Sequence, residues 1–268
     1  MFNIIDTKPE LFFKPQTSIW TDPYIQQNLL SAHLNPDTDA ASRNPQSIKK
    51  TVDFILKHTI TPSHILDLGC GPGLYAQHFI QQNHKVTGVD FNQAAIEYTC
   101  NHLPEGKWIQ ADYIKEFPAG NYDLITLIYC DLGTHSDQNR DILLQNCYQS
   151  LNTGGKLIFD IFNENIREDR KEEKTWEYNP EAGFWSEEPH LLLKQTFHYP
   201  EQNAYADQYN LMTERQTKYF VLWERYYSAQ EITTILHTIG FSKVDITHNL
   251  LEHNNFTSSH EMFITATK

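Results

Sequence analysis

Ile65-Leu-Asp-Leu-Gly-Cys-Gly-Pro-Gly73 is a short apolar run that ends in three glycines spaced two apart. The run reads as a buried strand, and the glycines let the chain turn tightly with no Cβ to hold a ligand away. A helical pattern follows at residues 74–82, then a second apolar run, Lys85-Val-Thr-Gly-Val-Asp90. Residues 92–101 are again helical, with Asn92 as N-cap. Residues 107–111 and 122–129 read as further buried strands. A helix at 137–151, stopped by Gly154-Gly155, leads into a strand at 156–161. Strands alternating with helices of about 10–15 residues predict βαβ units.

Outside this alternation the pattern changes. Residues 1–46 are polar and turn-rich, broken at Lys14-Pro15, Asp22-Pro23, Asn35-Pro36 and Asn44-Pro45, with one helical pattern at 24–33. From Ser47, taken as N-cap, the spacing Ile48, Val52, Ile55, Leu56 predicts an amphipathic helix. After Phe162 comes a charged stretch, 164–174, read as a solvated helix or loop. Three strand candidates follow at 190–199, 205–214 and 216–226. The alternation then resumes with a helix at 228–239, stopped by Gly240, and strands at 241–247 and 261–267. The expected organisation is an N-terminal cap segment (1–46), a core (47–162 and 228–268) and an inserted antiparallel β lid (163–227). The expected fold is α/β, a doubly wound, seven-stranded, mainly parallel sheet.

Composition narrows the function. With 21 Lys and Arg against 34 Asp and Glu, the net charge is -13, which repels nucleic acid and anionic lipid. Cys70, Cys100, Cys130 and Cys147 form no C-x-x-C pair, so neither a disulfide scaffold nor a zinc ribbon is indicated. The expectation is a cytoplasmic protein with no membrane segment and no nucleic-acid partner, a monomer or homodimer. No H-E-x-x-H is present, His260-Glu261 lacks a second histidine, and His248 and His253 are five apart; no metal is expected.

The glycine-rich turn gains meaning from Asp90, which closes the next strand at the distance where an acid accepts hydrogen bonds from ribose hydroxyls. A dinucleotide is disfavoured. Its G-x-G-x-x-G loop needs glycine at position 74, where Leu74 stands, and Asp67 would place a carboxylate against phosphates. A cationic ligand such as an amino-acid ammonium suits Asp67 better.

Residues 65–73 resemble motif I of class I S-adenosylmethionine (SAM)-dependent methyltransferases, and Val86-Thr-Gly-Val-Asp90 resembles their second motif. Gln110-Ala-Asp112-Tyr113 is similar to the third, Tyr122-Asp-Leu-Ile125 to the fourth strand, and Leu151-Asn-Thr-Gly-Gly-Lys-Leu-Ile158 to the approach to the fifth. The likeness spans about residues 47–162 and 228–268, within the small-molecule branch. It implies SAM as cofactor, with Gly69, Gly71 and Gly73 packing the methionyl part and Asp67 near its ammonium. It further implies Asp90 on the ribose diol, Phe91 beside the adenine, Asp112 accepting from the adenine amino group and Tyr113 against the ring. Tyr129, at the end of the fourth strand, is expected beside the cofactor. Arg43 either pairs with the cofactor carboxylate or is an exposed arginine, and Trp20 or Tyr24 would cover the cofactor.

Methyl transfer needs alignment of nucleophile, methyl and sulfur, with water excluded. The fourth strand should deliver Asp131 and His135 beside the methyl, Asp131 to orient or deprotonate an acceptor and His135 as a base. The segment lacks the N/D-P-P-Y/F motif of enzymes that methylate nucleic-acid bases or protein glutamine, and Cys130 reads as a buried cysteine rather than a nucleophile. Thirteen aromatics fall within residues 176–227. A small sheet needs part of them for its own core. The functional reading roofs the transfer site with Trp185, His190, Trp223 and Tyr226. The reaction so expected is SAM-dependent, in-line methyl transfer to an O or N atom of a small molecule held under this lid. The alternatives are a tRNA or protein acceptor, a non-catalytic SAM-binding module, and, disfavoured by Leu74 and Asp67, a nicotinamide-dependent oxidoreductase.

Overall fold

The structure, a computed structural model, describes residues 7–39, 41–251 and 260–268. His253, named in the sequence reading, lies outside the described residues. Two helices, α1 (Pro23–Leu34) and α2 (Pro45–Lys57), precede the sheet. Helix α2 starts at Pro45, not at the expected Ser47: Asn44 is the N-cap, its side chain accepting from Ser47 N–H, and Pro45 occupies the first turn, where its missing N–H costs nothing.

Next come β1 (His64–Leu68), α3 (Ala76–Gln81), β2 (Lys85–Asp90), α4 (Gln93–His102), β3 (Lys107–Gln110) and β4 (Tyr122–Leu127). A 3₁₀ turn at Asp131–Thr134 leads to α5 (Asp137–Ser150) and β5 (Leu151–Asn163). Asn92 caps α4 by accepting from Ala95 N–H, as its place in the sequence suggests. After α6 (Ile166–Asp169), four strands form an antiparallel run: β6 (Lys174–Asn179), β7 (His190–Tyr199), β8 (Ala204–Met212) and β9 (Thr217–Tyr227). Helix α7 (Ala229–Ile239) and the antiparallel pair β10 (Lys243–His248) and β11 (Glu261–Thr267) complete the chain.

The core strands lie in the order β3-β2-β1-β4-β5, all parallel, continued antiparallel through β11 and β10. These are the seven expected strands. The inserted run adds four more, because β9 pairs with the end of β5 (Phe162 with Tyr226, Asn163 with Tyr227) and makes one 11-stranded sheet. The insertion thus has one strand more than expected, β6, whose residues are almost all exposed.

Both faces of the parallel strands are covered, so they are nearly continuously apolar. Alternation still sorts the side chains. Ile65, Val86 and Leu124 pack with Ile48, Val52 and Ile55 of α2 and Phe79 of α3. Leu66, Leu68, Ile125 and Leu127 pack on the other face with Leu143 and Leu144 of α5 and Leu236 of α7. Each such side chain removed from water contributes about 1.5–3 kcal/mol. The order of connection reverses between β1 and β4, and in open α/β sheets the crevice at the carboxyl ends of the strands there is the ligand site. No described helix is long and apolar enough to cross a membrane.

Candidate active site

The turn after β1 opens into that crevice. Gly69, Gly71 and Gly73 all have positive φ (66°, 51° and 78°), which only glycine adopts without strain. Backbone N–H groups of Gly69 and Cys70 donate to the Val89 carbonyl, and Thr99 Oγ1 donates to the Gly71 carbonyl. A Cβ at Gly69 would lie 3.4 Å from Asp131 Oδ2, so the turn's first residue faces the end of β4 across the crevice.

Two carboxylates flank the turn. Asp67 pairs in register with Thr126 of β4, whose hydroxyl donates to Asp67 Oδ1 at 2.7 Å. Asp67 is 2% exposed and its Oδ2 has no hydrogen-bond partner. Burial pushes its carboxyl up to about 7. An orphaned buried carboxylate oxygen beside a glycine turn fits a cationic group. Asp90 accepts from Gly71 N–H (2.9 Å) with one oxygen and from Asn92 N–H (2.8 Å) with the other, and burial pushes it up to about 6. Each oxygen keeps a second lone pair for a hydroxyl donor. Phe91 lies next to Asp90, and Trp20 meets it edge-on with centroids 6.4 Å apart.

A family profile described as a methyltransferase domain matches residues 65–155. Over that stretch the chain is similar to methyltransferase domains. It is 32% identical over 160 residues to a ubiquinone biosynthesis O-methyltransferase of Coxiella burnetii, an alignment covering 53% of this chain and 66% of that protein, just under two thirds of its length. Among solved structures, a methyltransferase from Streptomyces caelestis superposes with TM-score 0.64 at 14% identity, covering 91% of this chain and 98% of the other. A sugar N-methyltransferase from Streptoalloteichus covers 98% of both chains, with TM-score 0.61 at 12% identity. At such identities the structural likeness establishes the fold.

Around this methyltransferase-like stretch the remaining expected residues separate. Partial burial works to raise the Asp112 carboxyl, but it accepts from Ile114 N–H and pairs with Lys115 at 2.9 Å, and these contacts together hold it below the usual range. Tyr113 is buried, and its hydroxyl bonds to Asp131 and His135 rather than standing as an unengaged ring. Tyr129, at φ 81°, donates its N–H to Asp160 and its hydroxyl to the Asp39 carbonyl. Burial lowers the pKa of His135, with Asp131 opposing.

Arg43 is neither exposed nor waiting for a ligand with its full charge. Its Nη2 is shared between Asp160 (2.5 Å) and Glu261 (2.6 Å), all three residues buried, while Nε and Nη1 make no hydrogen bond. Cys130, Asp160 and Glu261 cluster closely enough for a metal, but the Arg43 guanidinium is the cation between the two acids.

Trp185, His190, Trp223 and Tyr226 do not line one pocket. Trp185 packs with Tyr209 and Phe220 against Ile19, Ile25 and Leu29 of the N-terminal segment. Trp223 lies on the opposite face of β9, against Phe12, Tyr199 and Phe197, its indole N–H donating to the Phe13 carbonyl. Tyr226 packs with Phe162, Ile166, Tyr205 and Cys130. His190 is buried, with Nδ1 2.8 Å from the Glu188 carbonyl. Apart from the exposed Trp176 and Tyr178, the aromatics of the insertion go mainly to cores on both of its faces, which the N-terminal segment covers.

The sequence reading missed His33. It lies at the end of α1, bonded to Ser42 Oγ, with Cε1 3.7 Å from where a Cβ at Gly71 would be, and burial lowers its pKa to about 4. A cleft of about 400 Å³ runs beside it, flanked by Arg43, Leu74 and Gln77. No local motif signals this histidine; the docking of α1 over the glycine turn places it there.

Proposed function

We propose that this protein transfers the methyl group of S-adenosylmethionine to an oxygen or nitrogen of a small molecule. The observation that carries the reading is the unpartnered Oδ2 of buried Asp67 beside the glycine turn at the switch point, with Asp90 one strand away. When bound, the cofactor supplies an activated methyl on a sulfonium, whose carbon–sulfur bond breaks as the acceptor's lone pair forms the new bond. Asp67 holds the ammonium, and the glycine turn admits the methionyl backbone. Asp90 accepts from the ribose hydroxyls, and Phe91 with Trp20 shields the adenine. Asp131 stands across from Gly69 and orients the acceptor. Such positioning can contribute on the order of 7–11 kcal/mol. The O-methyltransferase and the sugar N-methyltransferase named above are consistent with either acceptor atom.

Calorimetry with SAM and with NADH tests the binding step, and S-adenosylhomocysteine release in a screen of metabolite, tRNA and protein fractions tests the transfer. SAM binding with turnover on metabolites supports the reading. Uptake of NADH with indifference to SAM overturns it, and turnover confined to tRNA or protein overturns the small-molecule part.

A further inference from the structure

Asp131 begins the 3₁₀ turn after β4, and His135 follows its end. Tyr113, from the loop after β3, comes between them. Its hydroxyl donates to Asp131 Oδ2 and lies 3.1 Å from His135 Nε2, the two rings meeting edge-on with centroids 5.7 Å apart. Tyr113 is 4% exposed and His135 9%. A phenol has one proton. Given to the carboxylate, it leaves the phenol oxygen only as an acceptor toward the imidazole, so Nε2 must carry hydrogen. Burial, followed by Asp131, pushes the Tyr113 hydroxyl far above its ordinary range, so the phenol stays protonated. The other groups facing this array are Asp90, toward Asp131 and Tyr113, Asp112, toward Tyr113 and His135, and Lys14, toward His135.

We propose that His135 Nε2–H, the Tyr113 hydroxyl and the Asp131 carboxylate form a one-way donor chain that fixes Asp131 opposite Gly69 as the group receiving the acceptor's O–H or N–H. Tyr113 and His135 are then positioning residues, and His135 is a donor rather than the base. Each hydrogen bond in such a chain polarises the next. Both neutral and protonated imidazole donate through Nε2, so titrating His135 leaves the chain intact. This inference rests on the methyl-transfer reading of the crevice.

Two measurements test it. Nitrogen NMR of His135 in the S-adenosylhomocysteine complex should show a single Nε2–H tautomer in the wild type and mixed tautomers in Tyr113→Phe; an Nδ1–H tautomer in the wild type, or no change in the variant, overturns the chain. In the second, S-adenosylhomocysteine release is followed with panels of small amines and phenols. Breaking the chain at either link should lower kcat about 10–100-fold in Tyr113→Phe and His135→Leu, with SAM affinity by calorimetry unchanged. His135→Gln, which keeps an N–H donor, should retain most of the activity. If His135→Gln is as impaired as His135→Leu, imidazole chemistry is required and the donor chain is wrong. Failure of the wild type to bind SAM would strike the methyl-transfer reading instead, and the tautomer measurement on the unliganded protein would still decide the chain. Amide spectra of each variant distinguish misfolding from a broken chain.

Discussion

Replacing Asp67 by asparagine should separate stability from cofactor binding. Burial raises the Asp67 carboxyl from 3.8 to about 7, the Thr126 hydrogen bond opposing and Asp90 reinforcing. Between those values the folded protein keeps a proton that the unfolded chain has released. Stability therefore falls as pH rises through this window, is unaffected by the group below it, and carries the full penalty above it. At about 1.4 kcal/mol per pH unit, the loss between pH 5 and pH 8 is about 3 kcal/mol. The asparagine side chain does not ionise, yet its carbonyl can still accept from Thr126. Urea denaturation of the unliganded proteins from pH 5 to pH 8 should show the variant gaining about 3 kcal/mol on the wild type. Asp90 titrates in both proteins and largely cancels. SAM affinity should move oppositely, rising with pH toward about 7 in the wild type and staying weak and level in the variant. A stability difference that does not change with pH would refute the assignment of Asp67 as a buried acid reserved for a cation.

Gly73→Ala should lower stability by about 1–3 kcal/mol, read from the denaturant midpoint, because φ is 78° and the new Cβ would meet Leu103 Cδ1 at 2.8 Å. Arg43→Met leaves Asp160 and Glu261 facing each other without their cation and should cost about 3–5 kcal/mol by the same measurement; a loss near zero would mean the pair is not held by Arg43. Asp90→Ala removes the acceptor for Gly71 N–H and Asn92 N–H and should weaken SAM binding at least about tenfold in calorimetry.

The glycine turn, its two acids and the core strands were legible because local rules fix them: apolar runs, the N-capping Asn92, and a turn that only glycine can make. What escaped depends on distant chain. The stretch Lys174-Thr-Trp-Glu-Tyr-Asn179 is a strand only because β7 offers an edge; Trp176 is 72% exposed, so no buried face marks it. Asn44-Pro45 reads as a helix breaker by composition, yet it is a cap followed by a first turn. The two-residue period of a strand puts Trp223 and Phe220 on opposite faces of β9, but it carries no sign that the N-terminal segment covers both faces. Arg43 and Tyr113 show the same limit. Their partners are 117, 218, 18 and 22 residues away, and no motif in the sequence ties them together.

In the sheet, the insertion joins the core through two residue pairs between β5 and β9, and its inner face is sealed by Ile19, Ile25 and Leu29. Transplanting it into another scaffold, or exchanging it for a relative's, therefore requires moving two separate pieces of chain together. A graft of residues 163–227 without the segment through α1 would leave Leu192, Leu211 and Phe220 wet, and the chimera would be prone to aggregate for reasons unrelated to its chemistry.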